Sequence, residues 1–587
     1  VNVLLYALTG VIIYVILLNV FKNYVSSETW YFSLAFVATM IWVAHPLHTE
    51  VVANIKGRDE ILGMLLAIGT IHYALRYYDT KQPIKLLWMS LAFILGIMAK
   101  ENAATFLFIA PLTLYYFKDA KLKDLAKPIG ALVVTMVVYV IIRLAVIGGT
   151  KPNPIPELMN NPFLHAKPAE KFATIFYTMG LYIKLLFFPH PLTHDYYPWH
   201  PIAEFFFGQG PYPYLKWSDW RALLSLFAYL FLGYVALKGL KTKSIVAYGV
   251  TFYLTTFFIV SNLVFAVGTF MNERFMYMPS LGYALVVAYF LVEYLPKKIE
   301  NKKLAKTISL SVFAVMIAGY SYKTIARSKV WVNDYTLSTT DVNVSYRSAK
   351  SNMSAGLAYV DKAKTLSTLE EKKPYIDKAK YHLKKSLKIY PRYIQPTLIL
   401  GNAYYEVQEY DSAIYYFERC LKLNPQYEYA VSNLVHVGDL MTKQKKYKKA
   451  VKAYEVLAKY NKDKRVFAYI KAGEIYGRFL RNPKKAQEYL EKAVQLEPGN
   501  LEAVQKLGVV YAMRGEFQKS LKLFIKANEL QPNNANILMN IGITYRNMGN
   551  EAEAQKYLQK AYQLNPKLKQ KPIPPPPGNK NKRQPKK

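Results

Sequence analysis

The chain has 587 residues, a hydrophobic content of 52%, a formal net charge of +37 and a single cysteine. Its length exceeds that of one compact domain, and lone Cys420 excludes an intramolecular disulfide. Such a basic balance is typical of proteins that bind nucleic acid or anionic lipid, and the apolar first half of this chain favours the membrane over nucleic acid.

The first half, residues 1 to about 325, is a succession of apolar segments. Apolar windows of about 17–25 residues with few charges predict membrane-spanning helices. About ten are predicted, near 3–21, 30–44, 61–78, 86–99, 102–117, 129–147, 222–237, 245–267, 279–295 and 306–322. For one further apolar segment, 172–189, the sequence leaves open whether it spans the membrane or lies in the interface, because it contains Lys184.

The sequence begins with Val1, already inside an apolar segment. It shows neither the basic start nor the cleavage site of a secretory signal. We therefore expect a first helix and a first outside loop to precede residue 1.

Lysine and arginine in alternate loops predict the orientation, because such loops face the cytoplasm. The cytoplasmic loops would follow the helices near 61–78, 102–117, 222–237 and 279–295. The other loops, 45–60, 100–101, 148–170 and 270–280, would face outside, provided that 172–189 does not cross the membrane. The helix near 306–322 would then deliver the rest of the chain to the outside.

After residue 325 the composition becomes polar and a repeat of about 34 residues appears. Segments 394–427, 501–534 and 535–568 realign, with glycine, tyrosine, alanine and a closing proline at fixed offsets. This is the tetratricopeptide pattern, a pair of helices per repeat. We predict a linker over 326–349, about six repeats over 350–568, and a disordered, proline-rich basic tail over 569–587. The fold class is therefore all-α, a polytopic membrane domain over 1–325 followed by an α-solenoid.

The predicted outside loops hold most of the residues capable of acid–base chemistry. Residues 45–60 read HPLHTEVVANIKGRDE, and residues 187–201 read FFPHPLTHDYYPWHP. Three further pieces follow the same pattern of charge next to apolar sequence: MAKENAATF, NERFMYMPSLGY and VWVNDY…NVSYRSAKSNMSAG.

In this order, these pieces resemble the transmembrane and tetratricopeptide-repeat-containing O-mannosyltransferases and their bacterial relatives. The resemblance covers the chain except its basic tail, and its most specific parts are His-Pro-x-His-Thr-Glu, Gly-Arg and Glu-Arg-x-x-Tyr-x-Pro-Ser. It implies a GT-C type of glycosyltransferase whose donor is a polyprenyl-phosphate sugar. It also implies that the family's acidic pair, the best candidate for the catalytic base, would lie before residue 1.

Transfer of a sugar needs a base for the acceptor hydroxyl and positive charge for the leaving phosphate. Candidate catalytic residues are Glu50 and His48, with Glu60 in support. Candidate ligands of the donor phosphate are Arg58, Lys56, Arg274 and Lys100. Candidates for supporting contacts or for the acceptor entrance are His45, Glu101, Asp195 and Glu273.

Several of these residues have a structural alternative. Glu50 and Arg58 are eight residues apart, so one helix would place them on one face. The alternative to a functional role for Lys100 and Glu101 is an ion pair that caps a helical hairpin. The alternative for Glu273 and Arg274 is a buried ion pair that supports the structure. No metal site is predicted, because His190, His194 and His200 lack a compact ligand spacing; divalent metal dependence stays open.

The resulting hypothesis is a membrane enzyme that transfers a hexose such as mannose to Ser or Thr hydroxyls of an extracytoplasmic protein. The repeats would hold the acceptor protein or peptide in their groove. The alternative is a non-catalytic, membrane-anchored scaffold for an envelope or secretion complex, with the repeats as a spacer or assembly arm. We expect a bacterial inner membrane with periplasmic repeats, or its eukaryotic equivalent, the endoplasmic reticulum membrane with luminal repeats.

Overall fold

The computed structural model describes residues 1–22, 30–148, 158–196 and 214–570. Within these ranges the secondary structure is helical, without a strand. Contacts between residues divide the chain into two units, Val1–Ala358 and Tyr359–Lys587. The all-α class predicted from the sequence is confirmed.

Unit 1 is a bundle of helices of very different lengths. Its α-helices are α1 (Asn2–Val20), α2 (Leu34–Ala44), α3 (Thr49–Ala53), α4 (Arg58–Thr80), α5 (Pro83–Ala99), α6 (Phe106–Phe117), α7 (Leu122–Ile147), α8 (Pro168–Phe187), α9 (Trp220–Thr242), α10 (Ile245–Phe258), α11 (Ser280–Tyr289), α12 (Leu295–Lys298), α13 (Lys302–Val330) and α14 (Asp334–Val344). A π-helical turn, Phe290–Tyr294, joins α11 to α12.

Four of the described helices, α1, α7, α9 and α13, are long and apolar enough to cross a membrane. Helices α2, α5 and α10 are shorter apolar helices. Outward-facing apolar side chains cover α7 and α9 (Val134 is 63% exposed and Phe231 62%), which is expected of a surface that faces lipid. Unit 1 is therefore a membrane protein domain.

Several predicted segments differ from the observed helices: α7 begins at Leu122 rather than near 129, and α13 continues to Val330 rather than to about 322. The helix predicted over 245–267 ends at Phe258, because Asn262 adopts a left-handed backbone and its side chain accepts a hydrogen bond from the Val267 amide. The predicted linker 326–349 is largely helical, since it contains the end of α13 and all of α14.

Close packing in the bundle depends on glycine where α10 meets α11. A Cβ atom on Gly282 would lie 2.3 Å from the Gly249 carbonyl oxygen, so these two backbones approach each other more closely than any side chain allows. This packing holds the loops at both ends of α10 and α11 in fixed positions.

The segment 45–60 is not one helix. A 3₁₀ turn (Pro46–His48) leads into α3, and a second 3₁₀ turn (Ile55–Gly57) leads into α4. The chain doubles back so tightly that a Cβ atom on Gly57 would lie 2.1 Å from the Val51 carbonyl oxygen. The expectation that Glu50 and Arg58 share one helical face is therefore wrong.

Unit 2 consists of antiparallel helix pairs. Helix α15 (Ala349–Lys364) contains the boundary between the units and is followed by α16 (Leu369–Ile389). Five further pairs follow: α17 (Ile394–Glu406) with α18 (Tyr410–Leu423), α19 (Glu428–Lys443) with α20 (Tyr447–Tyr460), α21 (Arg465–Glu474) with α22 (Pro483–Leu496), α23 (Leu501–Met513) with α24 (Phe517–Leu530), and α25 (Ala535–Asn547) with α26 (Glu551–Leu564). The repeat glycines let each pair close: a Cβ atom on Gly401 would lie 2.5 Å from the Phe417 ring.

In the repeat that begins near residue 431, Lys462 stands where the other repeats have their closing proline, yet its helix pair is formed. Asn461 ends helix α20, and its side-chain amide donates hydrogen bonds to the Pro425 carbonyl and to Gln426. These bonds join the ends of two successive repeats. The predicted tail lies outside the described residues except for its first two positions.

Candidate functional site

A cavity of about 610 Å³ lies in unit 1, where five sequence segments meet. Its walls come from α3 and the residues after it, from the loop after α8, from the loop before α11, from the start of α14 with the residues before it, and from the start of α15. The lining residues are Glu50, Ala53, Asn54, Ile55, His194, Asp195, Val267, Gly268, Thr269, Asn272, Arg274, Trp331, Val332, Asn333, Asp334, Leu337 and Lys350. Polar and charged groups on these walls are typical of a site for a polar ligand.

Glu50 and Arg274 form an ion pair on the wall of this cavity. Nη1 of Arg274 lies 2.9 Å from Oε1 of Glu50, with side-chain exposures of 39% and 5%. Oε2 of Glu50 is buried and has no hydrogen-bond partner among the described residues. A partly exposed guanidinium that a buried carboxylate holds in place can bind an anion.

A second, smaller cavity of about 80 Å³ adjoins the same pair. Glu50 and Arg274 line both cavities, and Lys56, Asp59 and Lys100 complete the walls of the small one together with Val51, Asn54 and Gly57. Three of the four cations predicted as phosphate ligands therefore lie around one space.

Lys100 is bound to two acidic groups. Its ammonium lies 2.8 Å from Asp59 and 2.8 Å from Glu60, which is buried. The predicted pairing of Lys100 with Glu101 does not form, because Glu101 instead bonds to Arg143. Lys100 and Glu60 thus connect the start of α4 to the end of α5.

Arg58 lies apart from both cavities. Its side chain is exposed and its Nε donates a hydrogen bond of 3.2 Å to Asn2. Lys56 is also exposed, but it lines the small cavity and has no acidic partner in the described ranges. The structure therefore favours Arg274 and Lys56 over Arg58 as ligands of an anion.

Both histidines of the first loop are engaged by the protein. Ring nitrogens of His48 lie 2.7 Å from the Tyr6 hydroxyl and 2.8 Å from the Ser280 hydroxyl. His45 bonds to the Leu186 carbonyl at 3.0 Å, and burial lowers its pKa to about 4. These contacts join the first loop to α8 and α11, and neither histidine lines the large cavity.

Glu273 is fully buried and is not paired with its neighbour Arg274. It accepts hydrogen bonds from the Thr193 amide at 2.7 Å and the Tyr196 hydroxyl at 2.9 Å. Burial raises the pKa of Glu273 to about 8 despite the nearby Arg327 guanidinium. Glu273 is therefore mostly protonated at neutral pH and holds the loop after α8 against the loop before α11.

The loop after α8 is also held from its other side, by residues that the sequence analysis did not single out. The amide of His194 donates to Asp341 at 2.6 Å, and Arg327 binds Asp341 through both terminal nitrogens, at 2.5 and 2.9 Å. The carboxylate of Asp195, a predicted entrance residue, accepts a hydrogen bond from Ser348. The motif VWVNDY…NVSYRSAKSN had already drawn attention to this segment, but nothing in it assigned roles to individual residues.

Helices α6, α7 and α10 enclose an apolar slot of about 490 Å³. Its lining is Ala104, Thr105, Leu107, Phe108, Met136, Leu254, Thr255, Phe258 and Ile259. A slot of this composition between helices of a membrane domain suits a lipid chain. His200 lies outside the described residues, and no group of three or more metal-binding side chains occurs within them.

Models of the tetratricopeptide repeat match residues 399–427, 468–500 and 500–567. The chain is 25% identical over 445 residues to Protein O-mannosyl-transferase Tmtc3 of Drosophila melanogaster, covering 68% of this chain and 45% of that protein. It is 25% identical over 557 residues to human Protein O-mannosyl-transferase TMTC3, covering 87% of this chain and 56% of that protein. The chain thus spans about half the length of the curated relatives it matches.

Solved structures match over a smaller part of the chain. YrrB, described as a tetratricopeptide-repeat protein with an unusual peptide-binding site, is 24% identical over 31% of this chain and 92% of its own, with a TM-score of 0.25. MamA is 22% identical over 35% of this chain and 98% of its own, with a TM-score of 0.19. The matched repeats and the matches to curated proteins over most of the chain agree with its loop motifs: the chain is a relative of the transmembrane and tetratricopeptide-repeat-containing O-mannosyltransferases.

Proposed function

We propose that this chain is a membrane glycosyltransferase that moves a hexose such as mannose from a polyprenyl-phosphate sugar to Ser or Thr hydroxyls of a protein outside the cytoplasm. The observation that carries the proposal is the Glu50–Arg274 pair, which lines both the large and the small cavity. Its relatives are named as protein O-mannosyltransferases, which supports the reaction class.

The donor would bind across the two cavities. Its phosphate would contact Arg274 and Lys56, because a guanidinium with adjacent positive charge stabilises the negative charge that develops on a leaving phosphate. Glu50 would hold Arg274 in place for this contact, through the bond from Nη1 of Arg274 to its Oε1. The polyprenyl chain would lie in the apolar slot between α6, α7 and α10.

The acceptor would approach through the large cavity. At about 610 Å³ this cavity has room for a hexose together with one amino-acid side chain, and its walls carry hydrogen-bonding groups on several sides. The repeats of unit 2 would bind a peptide segment of the acceptor, since arrays of this kind present concave surfaces to peptides. Topology counting supports repeats outside the cytoplasm, in a bacterial periplasm or an endoplasmic reticulum lumen.

The test is transfer of radiolabelled mannose from polyprenyl-phosphate mannose to protein, catalysed by the full chain in proteoliposomes. We expect Arg274→Gln to lower the transfer rate by about 10²–10³-fold, the cost of removing one donor that stabilises developing negative charge. Glu50→Gln keeps the shape of the side chain but removes the charge that holds Arg274, so a loss of the same kind is expected. Arg76→Gln, which changes an exposed arginine at the other end of α4, is the matched control and should retain activity.

Different failures have different meanings. Full activity of both Arg274→Gln and Glu50→Gln would refute the site but not the reaction. Release of mannose from the lipid without labelling of protein would point to a glycan or lipid acceptor. A wild-type chain that uses no lipid-linked sugar and purifies with a stoichiometric protein partner would refute the enzyme and favour the scaffold.

A further inference from the structure

Two lysines from distant parts of unit 1 meet at His190, just after the end of helix α8. The ammonium of Lys184, in the last turn of α8, donates a hydrogen bond of 2.6 Å to the His190 carbonyl oxygen. The ammonium of Lys323, on helix α13, lies 3.1 Å from Nδ1 of the His190 ring. The hydroxyl of Tyr320, three residues earlier on α13, donates to the Leu186 carbonyl at 2.9 Å. The two helices are therefore joined at this point.

Lys184, His190 and Lys323 form a basic cluster without an acidic partner. Neither lysine forms an ion pair with an aspartate or glutamate within the part of the chain that the structure describes. The carboxyl group of Glu273 also acts on Lys323, but burial raises the pKa of that carboxyl to about 8, so it carries little charge at neutral pH. Like charges that are held close together repel one another, and a bound anion removes this repulsion. The charge of the cluster thus favours an anionic ligand.

The ring of His190 adds a further hydrogen-bond donor to the cluster. Burial and the two ammonium groups lower the pKa of His190, so its ring is neutral at pH 7. An ammonium can only donate, so Nδ1 accepts from Lys323 and the hydrogen of the neutral ring is on Nε2. Each ammonium has three N–H groups, and the bonds above use one of them. Within the described residues, both lysines therefore keep N–H groups for the oxygens of an anion.

Large exposed aromatic side chains surround the basic cluster. The ring of Phe188 packs edge-on against the His190 ring, with centroids 6.3 Å apart, and Phe188 is itself 63% exposed. Phe187 is 65% exposed, and Tyr322, which precedes Lys323, is 76% exposed. Exposed aromatic rings beside lysines near the ends of membrane helices are typical of the boundary between hydrocarbon and lipid headgroups. The surroundings of the cluster thus favour a lipid over a soluble anion.

The basic cluster is separate from the proposed donor site. None of its three residues lines the two cavities or the apolar slot between α6, α7 and α10. The loop that begins beside the cluster continues to His194 and Asp195, which line the large cavity. A ligand of the cluster would therefore differ from the sugar donor, yet it would hold the point from which this loop starts.

We propose that the basic cluster binds the phosphate headgroup of an anionic phospholipid, with Lys184 and Lys323 on its oxygens and an acyl chain beside Phe187 and Phe188. The bound lipid joins the end of α8 to α13 at the start of the loop that reaches the large cavity. The lipid composition of the leaflet that the cluster faces thereby acts on the position of this loop. The site does not depend on the sugar-transfer reaction.

The test is binding of phosphatidylglycerol to the full chain in detergent, counted by native mass spectrometry and compared with phosphatidylcholine, which has no net charge. We expect Lys184→Gln and Lys323→Gln each to weaken phosphatidylglycerol binding about 5-fold, and the double variant about 30-fold, since a lysine beside an anionic membrane surface contributes roughly 1 kcal/mol. The matched control is Lys329→Gln, which removes an exposed lysine from the same helix and should leave binding unchanged. The double variant Lys184→Arg with Lys323→Arg keeps both charges and should bind phosphatidylglycerol at least as tightly as the wild type.

The same measurement gives the results that would overturn the proposal. Wild-type affinity of the double glutamine variant would refute the site, and an equal loss in Lys329→Gln would show only general attraction between charges. Displacement of phosphatidylglycerol by inorganic phosphate would replace the lipid by a free anion. Tighter binding of polyprenyl phosphate than of phosphatidylglycerol, lost in the double glutamine variant, would replace it by the donor lipid. The Tm from tryptophan fluorescence shows that each variant is folded, and none of these measurements requires sugar transfer, so they stand apart from the proposed function.

Discussion

The ion pair between Arg327 and Asp341 gives the sharpest prediction about stability. Both side chains are buried, with exposures of 5% and 1%, and Asp341 accepts four hydrogen bonds, two from Arg327 and two from His194. Asp341→Asn keeps the volume of the side chain but leaves the Arg327 cation buried without its partner. Removing one member of a buried pair costs about 3–5 kcal/mol. At about 2 °C per kcal/mol for a domain of this size, we expect the Tm to fall by roughly 6–10 °C.

The sequence itself provides the assay. All seven tryptophans lie within unit 1, so tryptophan fluorescence in detergent reports the unfolding of that unit. The only thiol, Cys420, is buried in unit 2 and provides a separate probe of the repeats through a thiol-reactive dye. A lower transition in the tryptophan signal would place the damage in the unit that contains Asp341.

Two further variants define what would refute the reasoning. Asp119→Asn removes a charge from an exposed pair with Lys243, where Asp119 is 87% exposed, and should cost about 0–1 kcal/mol. The double variant Arg327→Met with Asp341→Leu should regain much of the stability lost in Asp341→Asn, because it removes the orphaned charge. If Asp341→Asn unfolds at the same temperature as Asp119→Asn, the pair does not stabilise unit 1 as argued.

Two other predictions use the same fluorescence measurement. Burial raises the pKa of Glu273 from 4.5 to about 8, so between these pH values the folded protein holds a proton that the unfolded chain has lost. The free energy of unfolding should therefore fall as the pH rises from 5 to 8, by up to about 1.4 kcal/mol per pH unit. Glu273→Gln does not titrate, so the Tm of the wild type relative to this variant should drop over that range, and a constant difference would contradict the prediction. Gly282→Ala should destabilise unit 1 by about 1–3 kcal/mol because its Cβ would meet the Gly249 carbonyl at 2.3 Å. Gly233→Ala in helix α9, where no atom lies within 4 Å of the new Cβ, is its control and should be neutral or slightly stabilising.

The helices were predictable because hydropathy and periodicity report local structure. The apolar windows located most helices of unit 1, but α7 begins seven residues before the predicted 129, α13 continues eight residues past the predicted 322, and Asn262 ends α10 early. The repeat of about 34 residues likewise gave the helix pairs of unit 2. Both signals are contained in stretches of a few dozen residues.

The partners within the site were not predictable, since they are far apart in sequence. Glu50 and Arg58, eight residues apart, were expected to share a face if one helix contained both, but Glu50 pairs with Arg274, 224 residues away. The reason is local: Gly57 allows a turn so tight that Arg58 begins a new helix in another direction. Where the chain reverses direction, closeness in sequence is therefore a poor guide to which charged side chains form an ion pair.

Asp341 was overlooked for a related reason. It lies in the polar segment STTDVNV after the last long apolar helix, where an aspartate is expected to face solvent. Only the packing of α14 against the loop after α8 shows that it is buried and bonded to His194. The sequence could identify the segment through its family motif, but not the residue within it.

The carboxylates of unit 1 have three different environments, and these determine how variants of the site should be interpreted. Glu50 pairs with Arg274 at 2.9 Å, Asp341 is held in its ionised form at a pKa of about 2, and burial raises the pKa of Glu273 to about 8. Asp341 and Glu273 both hold the loop that carries His194, so changing either will disturb the cavity whether or not it takes part in chemistry. Loss of activity at these two positions is therefore weak evidence for catalysis. Glu50→Gln and Arg274→Gln are more informative, because each keeps most of the shape of the side chain and removes its charge. The mechanism should be judged on those two variants, with the Tm of each as the measure of whether the loops remain assembled.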